Sequence, residues 1–185
     1  MDHMGGYLRN MDLEFQNILE VDKELQEKIR LWRNSKEVNK FMVTNHQISK
    51  DEHKKWFEKL KKEENRKAWI IKYEKKPIGL VQLTNIDFIK KTTEWGFYIY
   101  DKSEKGKGVG SASLLKLMEI VFEEMNFEKM STMVVENNII ALKLYEKFGF
   151  EKEGKLKEKL NRDGKKLNVF TISISKEKWK EIKKI

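Results

Sequence analysis

Six consecutive residues, Lys105, Gly106, Lys107, Gly108, Val109 and Gly110, have the makings of an anion site. They follow an aromatic, strand-like run at 94–100 and lead into a helical pattern that begins near Ser111. Glycines allow backbone N–H groups to converge, and a helix N-terminus adds about half a positive charge. The two lysines strengthen the attraction. The expected guest is a phosphate or pyrophosphate, and the open question is which cofactor carries it.

The elements that must position this turn follow from periodicity. Residues 7–12 read as a short first strand. Asp22 is placed to cap a helix running to about Arg33, with Leu25, Ile29 and Trp32 on one face. A short helix over 35–42 and a polar loop over 43–48 come next. Ser49, Lys50, Asp51 and Glu52 form a capping-box pattern, which predicts a helix over 50–62 with Trp56, Phe57 and Leu60 inward. The period then changes to two. Strands are predicted over 67–73, 77–86 and 93–100, with Pro77, the only proline, at a strand start. After the glycine turn come a mostly buried helix (111–125), a strand (129–135) and a helix (139–147) with Gly149 as its C-cap. Strands over 150–160 and 166–175 flank a turn at 161–164, and a helix over 176–184 ends the chain. This order predicts a single α/β domain, a mixed and mostly antiparallel sheet flanked by helices, with residues 1–6 expected to be disordered or tag-derived. The turn opens the central helix, whereas a dinucleotide-binding fingerprint follows the first strand. No Gly-Lys-Ser/Thr ends the turn, so a Walker loop is excluded.

At 185 residues, one substantial core is the expected organisation. Hydrophobic residues make up 39% and charged residues 37%, the balance of a soluble protein with a densely charged surface. The first residues lack a signal-peptide pattern and no apolar run reaches membrane-spanning length, so a cytoplasmic protein without a membrane partner is expected. Without cysteine there is no thiolate nucleophile and no Cys-ligated metal, and no metal-ligand spacing is present. The net charge of +9 has two readings. One is a polyanionic partner; the other is a solvated surface rich in lysine and glutamate. No nucleic-acid motif accompanies the charge, which argues against a nucleic-acid partner.

A second cluster lies after the glycine turn. Asn138, Ala141, Tyr145, Gly149 and Phe150 stand in an Asn-x-x-Ala-x-x-x-Tyr-x-x-x-Gly-Phe arrangement. Together with the Lys105 turn, this resembles the GNAT superfamily of acetyl-CoA-dependent N-acetyltransferases over residues 7–175. The one departure is Lys105, where the family usually has Arg or Gln. The resemblance implies a GNAT fold and acetyl-CoA as cosubstrate, with no metal. It also implies direct transfer of the acetyl group to a primary amine. Ile99, Lys105, Gly106, Lys107, Gly108, Val109, Gly110, Ser111, Asn138 and Lys143 would then hold the cofactor, with Asn138 on its pantetheine arm. Tyr145 would be the general acid toward the departing sulfur. Its other reading is a core aromatic beside Leu142 and Phe148.

Over nearly its full length the chain resembles one branch of the family, which acetylates the 4-amino group of a UDP-linked deoxyamino sugar in pseudaminic acid biosynthesis. The residues that carry this are Leu31 to Asn34, Phe41, Met42, Ile48, Ser49, His53, Trp69, Pro77 to Gly79, and Glu151 with Glu153 to Lys157. Arg33, Met42, His53 and Tyr100 are the expected acceptor-binding residues. Polyamine and ribosomal-protein acetyltransferases are the rival branches, and a non-catalytic CoA- or nucleic-acid-binding protein is the rival outside catalysis. A polycationic acceptor calls for carboxylates, whereas Arg33, His53 and the lysines at 155–159 suit a diphosphate. An ammonium acceptor must lose a proton before attack. Glu136, working through water, is the candidate base, and His53 the second. Glu136 also reads as a surface carboxylate capping the next helix, His53 as an exposed helix residue, and Arg33 as an ion-pair partner. A small-molecule acceptor and a homodimer complete the expectations.

Overall fold

The computed structural model describes residues 2–183. Its elements are α1 (Asp2–Arg9), β1 (Leu13–Asn17), α2 (Lys23–Asn34), α3 (Lys36–Asn39), α4 (Lys50–Lys62), β2 (Lys67–Tyr73), β3 (Lys76–Asp87), β4 (Thr92–Ile99), α5 (Val109–Glu119), β5 (Lys129–Val135), α6 (Ile139–Lys147), β6 (Glu151–Arg162), β7 (Lys165–Ser175) and α7 (Lys176–Lys183). One seven-stranded sheet has the order β1-β2-β3-β4-β5-β7-β6. Every neighbouring pair is antiparallel except β4 with β5.

That parallel pair shapes the molecule. β4 and β5 meet only from Thr92 to Glu94 against Lys129 to Ser131. Beyond those residues β4 runs on to Ile99 and β5 to Val135 without pairing with each other, so the sheet opens into a wedge between them. The Thr132 hydroxyl donates to the Trp95 carbonyl at 2.6 Å in the crotch of the wedge and satisfies one freed acceptor.

The first predicted strand is corrected. Residues 7–12 form the end of α1 and a turn, and β1 begins only at Leu13. Apolar residues fall at Tyr7, Leu8 and Met11, a helical spacing. Alternation starts with Leu13 and Phe15, which pack on the core while β1 pairs β2. The capping box of α4 forms as expected: the Ser49 side chain accepts from the Glu52 N–H, and Glu52 reaches back to the Ser49 N–H. Asp22 caps α2.

The core has two parts, one on each face of the central strands. The larger gathers α5, α6 and α7 and includes Leu114, Leu117, Met118, Phe122, Tyr145 and Trp179. The smaller packs α2 and α4 through Ile29, Trp32, Phe57 and Leu60. Strand alternation divides β4 between them: Trp95, Phe97 and Ile99 face the larger core, and Tyr98 the smaller. Gly79 on β3 permits this pairing, because a Cβ there would lie 2.2 Å from the Tyr98 carbonyl oxygen.

Candidate active site

The glycine turn sits at the mouth of the wedge. Gly106 and Gly108 take positive φ of 82° and 85°, and Gly108 is the N-cap of α5. No side chain caps that helix, so the N–H groups of its first turn are left for a ligand. At Gly106 a Cβ would meet nothing within 4 Å, so the surface is open there. Lys105 is exposed, and Lys107 reaches the buried Glu104 at 2.9 Å. The ion pair raises the Lys107 pKa, its hydrogen bond to Glu104 being the largest cause. Leu8, Met11 and Tyr7 pack behind Gly108 and brace the turn from the N-terminal side.

Tyr145 lies below this turn and inside the wedge. Its ring is edge-on to Trp95 at 5.7 Å and to Phe97 at 6.5 Å, and it packs on Phe150 at 5.6 Å. The core-aromatic reading of Tyr145 therefore holds, and its ring packs on the β4 residues Trp95 and Phe97. Burial pushes the phenol well above its ordinary pKa, opposed by the neighbouring Trp95 indole. The Trp95 Nε1 is enclosed without a hydrogen-bond partner. Asn138 caps α6, its Oδ1 accepting from the Ala141 N–H at 3.3 Å, and Lys143 is exposed on that helix. Ile99 packs on the same core at the end of β4.

Glu136 continues β5 at the other lip of the wedge. Its two carboxylate oxygens accept from the Asn168 N–H at 2.8 Å and from Asn168 Nδ2 at 2.7 Å. These bonds, the backbone one first, hold its pKa below the ordinary carboxylate value. The carboxylate is thus ionised and oriented by β7 rather than capping the next helix.

On the other face of β4, the acceptor candidates divide. Arg33, at the end of α2, donates through Nη2 to the Thr44 carbonyl at 2.6 Å and to its hydroxyl at 3.2 Å. Among the described residues no carboxylate pairs with it, so its contacts differ from the ion-pair reading. Tyr100 stacks on Trp32 at 5.3 Å and 16°, with its outer side exposed. The Met42 carbonyl accepts from Arg162 Nη2. These three residues surround one end of α2. His53 sits about two turns away along α2, where its Nε2 meets the Gln26 carbonyl at 2.8 Å. Its ring stacks on Trp56 and meets Phe57 edge-on. It lines a groove of about 270 Å³ between α2 and α4, together with Glu27, Lys50 and Lys54. The structure does not bring it into contact with Arg33.

Burial lowers the His53 pKa, with Arg30 adding to that, while the Gln26 carbonyl and Glu27 oppose it. The neutral ring is favoured in the folded protein. Its contribution to stability is complete above the unfolded value of about 6.5. That contribution is lost as pH falls through the lower folded value. An NMR titration of the ring protons should accordingly show a midpoint below about 6.5; a midpoint at or above it would make the burial argument wrong.

Two residues near Arg33 and Met42 escaped the sequence reading. Tyr98 reads as an ordinary strand aromatic, and only its two-residue spacing from Tyr100 signals the shared face. Arg162 carries no local signal, because it lies more than a hundred residues from what it touches.

The chain thus combines a glycine-capped helix start, an opening in the sheet and a buried phenol packed on Trp95 and Phe97 of β4. Residues 22–169 match the model of the acetyltransferase (GNAT) domain. The chain belongs to that family. Its sheet, wedge and turn are therefore those of an acetyl-CoA-dependent N-acetyltransferase. Among relatives, the acetyltransferase PseH of Campylobacter jejuni is 28% identical over 138 residues, covering 75% of this chain and 84% of that protein. The spermidine N(1)-acetyltransferase of Vibrio cholerae is 30% identical over 106 residues, or 57% of this chain and 61% of that one. The solved spermidine N-acetyltransferase of Vibrio cholerae, in complex with CoA and spermine, superposes with a TM-score of 0.80. That match has 23% identity and covers 91% of this chain and 98% of that chain. At that identity the likeness concerns the fold.

The residues present fit acetyl-CoA. The uncapped α5 terminus and the open surface at Gly106 suit its pyrophosphate. The unpaired end of β4 suits an arm that adds to the strand edge. Among the described residues no group of three or more His, Cys, Asp or Glu could hold a metal ion, and no helix is long and apolar enough to cross a membrane.

Proposed function

We propose that this N-acetyltransferase acts on the primary amine of an anionic small molecule, a UDP-linked 4-amino-deoxy sugar of the kind used in pseudaminic acid biosynthesis. The observation that carries the reading is the charge around Arg33. Its guanidinium is partly buried and its pKa lowered, first by burial and then by the charge of Arg162. Over residues 35–48 the only acidic residue is Glu37, which is occupied by Lys102 at 2.8 Å. A site for a polyamine would need free carboxylates here; a site for a diphosphate needs what is present. The exposed side of Tyr100, stacked on Trp32, offers a platform for a planar base. The sequence likeness to PseH supports the same branch and extends over 75% of the chain, against 57% for the sequence likeness to the spermidine enzyme.

Acetyl-CoA supplies the acetyl group as an activated thioester. The residues Lys105 to Ser111 hold its phosphates, and Asn138 and the β4 edge hold the arm. Tyr145 keeps its proton at Oη and presents it to the sulfur as negative charge develops there. A free thiol has a pKa of about 8.5, below that of the buried phenol. Full proton transfer from Tyr145 is therefore uphill, and its contribution is a hydrogen bond that strengthens during bond cleavage. The amine proton leaves through water past Glu136. Its lowered pKa suits the carboxylate to orienting that water rather than to keeping the proton. The chain has no cysteine, so transfer is direct, within a complex of both substrates.

The test is thiol release from acetyl-CoA with three acceptors: the UDP-4-amino sugar, spermidine and a basic ribosomal-protein peptide. Turnover concentrated on the sugar nucleotide is expected. Faster turnover of spermidine or of the peptide would replace this acceptor. Release with none of them, beside salt-sensitive nucleic-acid binding, would favour a binding protein.

A further inference from the structure

Arg33 Nη1, Asn39 Oδ1 and the Tyr98 hydroxyl are enclosed side-chain atoms without a partner, and the first two flank one stretch: Arg33 binds Thr44, and Arg162 binds the Asn39 carbonyl. Buried polar groups are normally satisfied, because each unmade bond costs about 1–3 kcal/mol. Such clustering marks a site that awaits a polar group. Arg162 reaches the same place from the other half of the sheet. It is the last residue of β6, directly before a tight turn in which Asp163 and Gly164 have positive φ. The β6–β7 register slips between Leu156 and Leu160, where Glu158 also takes positive φ. A bulge of this kind bends a strand, and here the bend accompanies the approach of the hairpin tip to the segment after α3. There Arg162 donates to the carbonyls of Asn39, Met42 and Val43.

Arg33 and Arg162 thus hold one irregular stretch, residues 39–44, from two sides. Their recorded partners are backbone carbonyls and the Thr44 hydroxyl, with no carboxylate among them. Two guanidiniums that repel each other at a partly buried site are costly unless an anion completes them. Loop anchoring alone would be served by neutral donors.

We propose that Arg162 is a specificity-determining residue, carried by the β6–β7 hairpin to complete the acceptor site with Arg33 and Tyr98 and to serve the acidic part of the acceptor. The inference rests on the anionic-acceptor reading above and adds to it a residue from the opposite half of the chain. Arg162 acts partly by positioning, since it also holds residues 39–43. The arginine charge and the loop contact must therefore be tested apart.

The experiment is calorimetric titration of UDP into the CoA-saturated enzyme, comparing wild type with Arg162→Met and Arg162→Lys. Arg162→Met is expected to weaken UDP at least tenfold, with CoA affinity and Tm unchanged. Arg162→Lys, which keeps the charge but not the forked geometry, is expected to recover most of that loss. UDP bound by Arg162→Met as tightly as by wild type would overturn the assignment and leave the acceptor reading standing. Equal weakness of the Lys and Met variants would reduce Arg162 to a loop anchor and also overturn it. Failure of wild type to bind UDP at all would sink the nucleotide reading itself. A fall in Tm and CoA affinity with Arg162→Met, matched by Arg162→Lys, would show a structural role alone.

Discussion

Tyr145→Phe should lower turnover about a hundredfold while the KM for acetyl-CoA moves less than about threefold. The substitution removes one oxygen and leaves the ring that packs on Trp95, Phe97 and Phe150, so the fold should survive. The expected magnitude is that of one hydrogen bond realised in the transition state, about 2–4 kcal/mol. Burial keeps the phenol protonated through the neutral range, so the group lost is always a donor there. The measurement is steady-state thiol release at saturating acceptor, with thermal melting as a check on the fold. Unchanged turnover would leave Tyr145 as a packing residue of the larger core.

The second large effect is expected on the acceptor side. Arg33→Met should raise the KM for a UDP-linked amino sugar about ten- to a hundredfold. That is the range of about 1.5–3 kcal/mol for hydrogen bonds to a charged group. Acetyl-CoA affinity should stay within about twofold, because β4 separates the two faces. Arg33→Lys should recover little, since an ammonium lacks the planar fork that reaches Thr44 through Nη2 while leaving Nη1 free. The outcome that would sink the idea is an unchanged acceptor KM in the methionine variant, with the loss appearing in Tm instead. The Thr44 contact would then be the whole of its role.

Legibility followed the range of the interactions. The helix over 50–62 was readable to the residue, because its start is written in the local exchange between Ser49 and Glu52. The strand over 129–135 was equally clear from its apolar pattern. The error at 7–12 arose where two short-range patterns compete. Helix-spaced Tyr7, Leu8 and Met11 lie just before alternating Leu13 and Phe15, and only docking of Leu8 on the core decides between them. The predicted helix over 111–125 begins earlier, at Val109, because Gly108 provides the cap. It ends in a π-helical turn, Ile120–Glu124.

The candidate site shows the same division. The turn, Asn138 and Tyr145 lie within about forty residues of one another in sequence, so the resemblance to the family could pick them out from short motifs. The roles of Glu136 and His53 depended on partners that spacing does not reveal. Asn168 occupies Glu136, and the Gln26 carbonyl fixes His53 away from Arg33.

What the sequence determined by itself was the family and the glycine turn that opens α5. Gly106 and Gly108 impose a turn, the helix after it imposes a dipole, and Tyr145 follows at a set spacing. These are local constraints of backbone and period. The surroundings of Arg33 were decided only by tertiary structure. Strand alternation in β4 sends Tyr98 away from Tyr145, and the bent β6–β7 hairpin brings Arg162 to residues far from it in sequence. The physical reason is that charge reads out at the distance folding sets. Two arginines 129 residues apart in the chain act on each other only after the sheet has brought both to one stretch, Arg162 on Met42 and Val43 and Arg33 on Thr44.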